Sequence, residues 1–275
     1  MAFAYPGDGS LDYFPCRYGM SRVAFRGPRR DLLRPYVAVL GGTETYGKFV
    51  PDPYPALVEA ATGLRLINLG VVNAGLDLYL RDPDVLETAA RARLAVVQVM
   101  GAQNLTNRFY AVHPRRNDRF LYATPLLRNI YREVDFTEFS FTRHMLHTLH
   151  SVSVDRFEVL VEELRTAWVT RMKALLASLP CKTVLLWVAN NPPPTPDRQS
   201  YLMADPMFVD SEMIRALRSS VARYIEIVAS AEAQSQGTAG MAFAYLDEPA
   251  AQTLPGPAVH RQIASQLGPE LVNLL

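Results

Sequence analysis

Two glycines followed by a hydroxyl, a carboxyl and a second hydroxyl close an apolar run: PYVAVLGGTETYG at residues 35–47 ends in Gly41-Gly42-Thr43-Glu44-Thr45. A tight turn at the carboxyl end of a parallel strand is where open α/β sheets place their chemistry, which makes Thr43 the candidate reactive or ligand-binding hydroxyl. Such a hydroxyl is inert at neutral pH unless a base takes its proton. One source of a base is RHMLHTLHS, where His144, His147 and His150 recur at three-residue steps. On a helix, neighbours three apart share a face, so a pair could ligate a metal; no Cys or carboxylate pair at metal spacing accompanies them, and no metal is expected. His144 is the candidate base from this segment. Glu44 and Thr45 either line the same pocket or serve as a solvated acid and a cap at the start of a helix.

A second chemistry-bearing group is cationic. Arg17, Arg22, Arg26, Arg29 and Arg30 are interleaved with Tyr13, Tyr18 and Phe25. A solvated or salt-bridged arm is the ordinary reason for such a run. The functional reading is anion recognition over the mouth of the sheet, with Arg22 and Arg26 as bidentate donors to carboxylate, phosphate or sulfate. His113-Pro114-Arg115-Arg116 would meet them from the other side.

The elements that must position these residues follow from the apolar pattern. Five short Val, Ile and Leu-rich runs, at 36–41, 65–70, 94–100, 183–189 and 241–246, are continuous rather than alternating, which predicts strands covered on both faces. Helix-like segments lie between them at 52–62, 73–92, 153–179, 209–234 and 258–274. In the third of these Phe157, Leu160, Val161, Leu164, Trp168 and Met172 recur at three-to-four-residue steps. Alternating strands and helices predict a parallel sheet with right-handed crossovers. The expected architecture is a three-layer α/β/α sandwich: a basic N-terminal arm at 1–33, an α/β domain at 34–275, and a lid inserted at about 105–152.

Bulk properties narrow the function. A chain of 275 residues with 49% apolar and 20% charged side chains can bury one large core. A net charge of +1 gives no general field to gather a polyanion, so no nucleic-acid partner is expected. Cys16 and Cys181 are far apart and outside any paired spacing, which suits a reducing compartment. No apolar stretch of membrane-spanning length occurs, and the expected location is the cytoplasm, with no membrane partner and no cofactor.

Four blocks resemble the SGNH/GDSL hydrolase superfamily. Leu40 to Gly47 is similar to its first block, LGDS-x-T-x-G, with Gly42 in the aspartate position and Thr43 in the place of the nucleophilic serine. Asn68-Leu69-Gly70-Val71-Val72-Asn73-Ala74-Gly75 resembles N-x-G-x-x-G, although the last glycine falls two residues late. Gly101-Ala102-Gln103-Asn104 resembles G-x-N-D. The resemblance implies a five-stranded sheet in flavodoxin-like order and an oxyanion site from the Gly70 N–H and an amide of either Gln103 or Asn104. In the last block, aligning Pro255 and His260-Arg261…Ile263-Ala264 puts Leu254 at the position of the catalytic histidine and Ala251 at that of its aspartate. The alternative register makes His260 the base, with Pro257 where the acid belongs.

A triad lacking its histidine and aspartate implies a divergent member, a pseudoenzyme in the family's own chemistry. The expectation is a protein that binds or unconventionally processes a small polar or anionic ligand, such as a carbohydrate or acyl ester. The rival is an active O-acyl esterase or acyltransferase using Thr43 with His144 or His260. A third reading is a non-catalytic scaffold. The oligomeric state is left open.

Overall fold

The computed structural model describes residues 11–196 and 205–275. The chain runs β1 (Val37–Gly41), a one-turn helix α1 (Thr43–Tyr46), α2 (Tyr54–Thr62), β2 (Leu66–Gly70), α3 (Leu76–Leu80), α4 (Pro83–Ala90) and β3 (Leu94–Gln98). After β3 come a hairpin, β4 (Tyr110–His113) and β5 (Arg116–Ala123), then α5 (Pro125–Ile130) and α6 (Thr142–Val152). The remainder comprises α7 (Val154–Ala177), β6 (Lys182–Ala189), α8 (Ser211–Arg215), β7 (Arg223–Val228), α9 (Ala231–Ser235), α10 (Glu248–Ala251) and α11 (Pro257–Leu274).

The central sheet has five strands in the order β2-β1-β3-β6-β7, and every pairing is parallel. Counting its strands alone, that order is 2-1-3-4-5, the flavodoxin-like order the family resemblance implies. The fold is thus the expected three-layer sandwich. Successive strand residues face opposite layers. Ala38, Leu40, Ile67, Leu69, Ala95 and Val97 enter the core shared with α7 and the segment after β3. Val37, Val39, Leu66, Leu94 and Val96 pack against α2 and α11. The stripe predicted on α7 is buried throughout, and the Trp168 indole donates to the Met100 carbonyl at 2.8 Å, anchoring the chain where it leaves β3.

Three expectations need correction. The fifth strand is Arg223–Val228, not 241–246, where Tyr245 and Leu246 are exposed. As an edge strand with one wet face, RYIEIV mixes polar and apolar residues and reads as part of a helix. The predicted helix over 209–234 is accordingly replaced by α8, β7 and α9. The helix at 73–92 is two, because Pro83 opens α4 behind an Asp82 cap that accepts from the Val85 N–H.

The basic arm is anchored over its described part, since Cys16 and Phe25 exchange backbone hydrogen bonds of 2.9 Å and Tyr18, Val23 and Phe25 are core residues, while Arg17, Arg22 and Arg29 are exposed and Arg30 pairs with Glu59 at 3.1 Å. Its first ten residues lie outside the described ones. Both cysteines are unpaired and partly buried. No helix among the described residues is long and apolar enough to cross a membrane.

Candidate functional site

The turn after β1 is held from inside the sheet by Gln98, the last residue of β3. Its carbonyl oxygen Oε1 accepts from the Gly42 N–H at 3.0 Å and from the Thr45 hydroxyl at 2.6 Å, and its amide donates to Glu44 Oε2 at 2.8 Å. A Cβ on Gly41 would collide with Thr45 Oγ1 and Gln98 Oε1, so only glycine lets the strand pass this close. Tyr79 locks the other side: its hydroxyl accepts the Gly41 N–H at 3.0 Å and donates to the carbonyl of Gly41 at 2.7 Å or Leu69 at 2.8 Å. Arg26 secures the far end of α1 by donating to the carbonyls of Gly47 at 2.6 Å, Tyr46 at 3.3 Å and Pro51 at 2.6 Å. It therefore positions the Thr43 turn, and its guanidinium is committed to backbone.

Thr43 itself is largely buried. Its hydroxyl accepts the Asn73 N–H at 2.9 Å and donates to Asn73 Oδ1 at 3.3 Å. The Asn73 amide then donates to Asp118 Oδ2 at 3.2 Å, so a carboxylate of the β4–β5 hairpin stands one residue away from the hydroxyl. Asn73 occupies the position where the family pattern places its second glycine, and it adopts φ +56, the left-handed region that Asn tolerates.

The other predicted residues are distributed differently. The Gly70 N–H is taken by Asn68 Oδ1 at 2.9 Å, and Gly70 is packed so tightly on α1 that a Cβ would strike the Tyr46 nitrogen. Asn104 uses both ends of its amide on the framework: Nδ2 donates to the Asn73 carbonyl at 3.1 Å and Oδ1 accepts from the Thr142 hydroxyl at 2.8 Å. Gln103 is buried as well, and its Oε1 has no hydrogen-bond partner among the described residues.

No histidine reaches Thr43 Oγ1 by a hydrogen bond among the described residues. His144 is exposed on α6, edge-on to the Phe139 ring at 5.1 Å. His150 packs likewise on Phe157 at 5.1 Å. His113 Nδ1 accepts from the Arg115 N–H at 3.2 Å, within the hairpin turn. His260 is buried between α11 and α2, stacked on Tyr54, with Nδ1 accepting the Tyr54 N–H at 3.0 Å. Burial, with Arg26 nearby, pushes its imidazole down to about 3, so it is neutral at physiological pH. Among the described residues no group of three His, Cys, Asp or Glu is placed to hold a metal ion.

The electrostatics of the mouth are acidic. Glu44 keeps part of its surface exposed while its carboxyl lies deep among protein atoms; burial raises it above the usual carboxylate range, against the stabilising Gln98 donor. Arg143 on α6 and Asp205 act on it from outside, and these two are paired with each other through one Nη2 at 2.8 Å to both carboxylate oxygens. The site therefore offers Asp118 and Glu44 as acceptors, Asn73 as donor and acceptor, and one cation already neutralised.

Sequence reasoning did not single out Gln98, Asp118 or Thr142. Gln98 carried a signal, being the lone polar residue in LAVVQVM. Asp118 carried none, since its contact with Asn73 spans 45 positions.

Fold and site together define a doubly wound α/β protein with a polar mouth at the carboxyl ends of its first strands. The chain belongs to the family described as Domain of unknown function (DUF6473), whose model matches residues 1–275. No curated protein matches its sequence. Among solved structures, the chain is similar to the inhibitor-bound aryl esterase of M. smegmatis, with 11% identity, a TM-score of 0.46, and coverage of 88% of this chain and 100% of that one. It is similar to LAE5, an α/β hydrolase enzyme from the metagenome of Lake Arreo, Spain, with 13% identity, a TM-score of 0.40 and coverage of 88% and 96%. A catalytic mutant of Axe2, an acetylxylan esterase from Geobacillus stearothermophilus, is 12% identical, with a TM-score of 0.39 and coverage of 86% and 94%.

Proposed function

We propose that this chain is a divergent SGNH-hydrolase-like protein whose Thr43 mouth binds a neutral polyhydroxyl ligand of the carbohydrate class without serine-hydrolase chemistry. The observation that carries the reading is the environment of Thr43 Oγ1, whose hydrogen-bond partners are the backbone and side chain of Asn73 rather than an imidazole. Asparagine has no basic lone pair to accept the hydroxyl proton, so nothing in that contact generates an alkoxide.

Charge and donor inventory favour a neutral ligand. Carboxylates accept sugar hydroxyls, and the Asn73 amide both gives and accepts, so Asp118, Asn73 and Glu44 match a row of hydroxyl groups. An anion would face two carboxyl groups, Asp118 and Glu44, and an arginine whose charge Asp205 already balances. The Thr43 mouth thus suits carbohydrate better than an acidic substrate.

Calorimetric titration with xylose, glucose, N-acetylglucosamine and their short oligomers tests this. Binding of at least one sugar is expected, insensitive to added salt and lost in Asp118→Ala. Absence of heat with the whole series, or binding unaffected by Asp118→Ala, would contradict it.

A further inference from the structure

A cleft lies away from Thr43, where the arm, the α3–α4 junction and the β4–β5 turn converge. They enclose an open cleft of about 310 Å³ lined by Arg22, Arg81 and Arg115, with Asp82, Asp84 and Met20 at its wall. That volume is in the range of small-molecule pockets. None of the residues around Thr43 contributes to it.

The cleft is assembled by specific contacts. The Met20 N–H donates to Asp84 Oδ1 at 2.8 Å and the Ser21 hydroxyl to Asp82 Oδ2 at 2.7 Å, pinning the arm immediately before Arg22. Gly19 sits at φ +57, and a Cβ there would strike Asp84 Oδ1, so the approach of the arm depends on this glycine. On the opposite side, Asn117 Oδ1 accepts from the N–H groups of Gly75 at 2.9 Å and Leu78 at 3.1 Å, while its amide donates to the His113 carbonyl at 3.0 Å. This fixes the turn that carries Arg115.

The pairing of charges inside the cleft is uneven. Arg81 is bridged to Asp77 at 3.1 Å. The guanidinium groups of Arg22 and Arg115 have neither an acidic nor a hydrogen-bonding partner among the described residues. The carboxylates beside them are engaged: Asp82 receives Ser21 and the Val85 N–H, and Asp84 Oδ1 receives Met20. With Arg81 balanced by Asp77, the two unpaired guanidiniums of Arg22 and Arg115 stand beside two carboxylates whose acceptor positions are partly occupied by the framework.

We propose that this cleft binds an organic phosphate or sulfate monoester carrying hydroxyl groups, a sugar phosphate or sugar sulfate in class. The anion lies between Arg22 and Arg115, which suit tetrahedral oxyanions through bidentate donation. The hydroxyls reach Asp84 Oδ2 and the remaining acceptor positions of Asp82. The site is separate from the Thr43 mouth, and its ligand need not be the one bound there.

Calorimetric titration with glucose 6-phosphate, glucose 6-sulfate, inorganic phosphate and glucose, each at matched ionic strength, tests the proposal. Binding is expected for the two esters, weaker for inorganic phosphate and absent from this cleft for glucose. Arg22→Ala and Arg115→Ala should each weaken ester binding about tenfold or more, and Lys173→Ala, an exposed cation outside both sites, should leave it unchanged. Both arginines are exposed, so circular dichroism and urea midpoints should match the wild type and isolate the binding effect. Failure of both esters to bind, or wild-type affinity for them in both arginine variants, would overturn the proposal. Inorganic phosphate binding as tightly as the esters would overturn the assignment of the hydroxyl contacts. Loss of sugar binding in Asp118→Ala with ester binding intact would separate the two sites.

Discussion

Asn73 grips Thr43 twice, donating its backbone N–H to the threonine oxygen at 2.9 Å and accepting the threonine proton on its side-chain oxygen at 3.3 Å. Both partners come from one residue in the turn after β2, and its amide passes the connection to Asp118 in the hairpin after β3. The hydroxyl is thereby oriented, yet its neighbour is an amide without basicity. This arrangement underlies the reading of the mouth as a binding site.

Arg26 should be a stability residue rather than a ligand-binding one. Its three bonds to the carbonyls of Tyr46, Gly47 and Pro51 hold the end of α1. Arg26→Ala is expected to cost about 2 kcal/mol, since hydrogen bonds from a charged donor contribute at that level. Urea denaturation of the variant checks it; a loss below about 0.5 kcal/mol, as at an ordinary surface position, would contradict the role.

His260 makes stability depend on acid. Its folded value is pushed down to about 3 by burial, below its ordinary 6.5, so the unfolded chain binds the extra proton first. This contribution is complete above pH 6.5 and is lost as pH falls from there towards about 3. His260→Phe should cost stability at pH 7 by orphaning the Tyr54 N–H, and should flatten the pH dependence between 4 and 6 by up to about 1.4 kcal/mol per pH unit. Urea midpoints at several pH values measure it, and an unchanged slope would contradict the assignment.

Glu44 should behave in the opposite sense. Burial raises its carboxyl in the folded state, so its contribution is favourable below the ordinary carboxylate value of 4.5 and is lost as pH rises through the higher folded value. Glu44→Gln keeps an acceptor for the Gln98 amide and removes that loss. The variant's stability relative to wild type should therefore increase between pH 4 and pH 7.5; a decrease over that range would show that the ionised form is the stabilised one.

Much of this was legible in the residues, and the exceptions have physical causes. The β1, β2, β3 and β6 strands are covered on both faces, so their runs are mostly apolar rather than alternating, and α7 shows its 3.6-residue stripe because one face meets the sheet. The β7 strand was hidden because an edge strand carries Arg223 and Glu226 on its wet side. The glycine pair before Thr43 marked the mouth, but its surroundings were set by tertiary contacts. Asn73 replaced the expected glycine by adopting its backbone conformation, and Asp118 arrived from a hairpin whose pattern says nothing of Thr43. The pairing of Arg22 with the 113–116 turn was expected over the sheet mouth; the two instead meet beside α4.

The most direct test is the hydrolysis of p-nitrophenyl acetate by wild-type protein and by Thr43→Ala at pH 7.5, against a protein-free control. With no imidazole in hydrogen-bond contact with Thr43, both proteins should release nitrophenol at the same rate, indistinguishable from the control. A wild-type rate well above it that vanishes in Thr43→Ala would contradict the account.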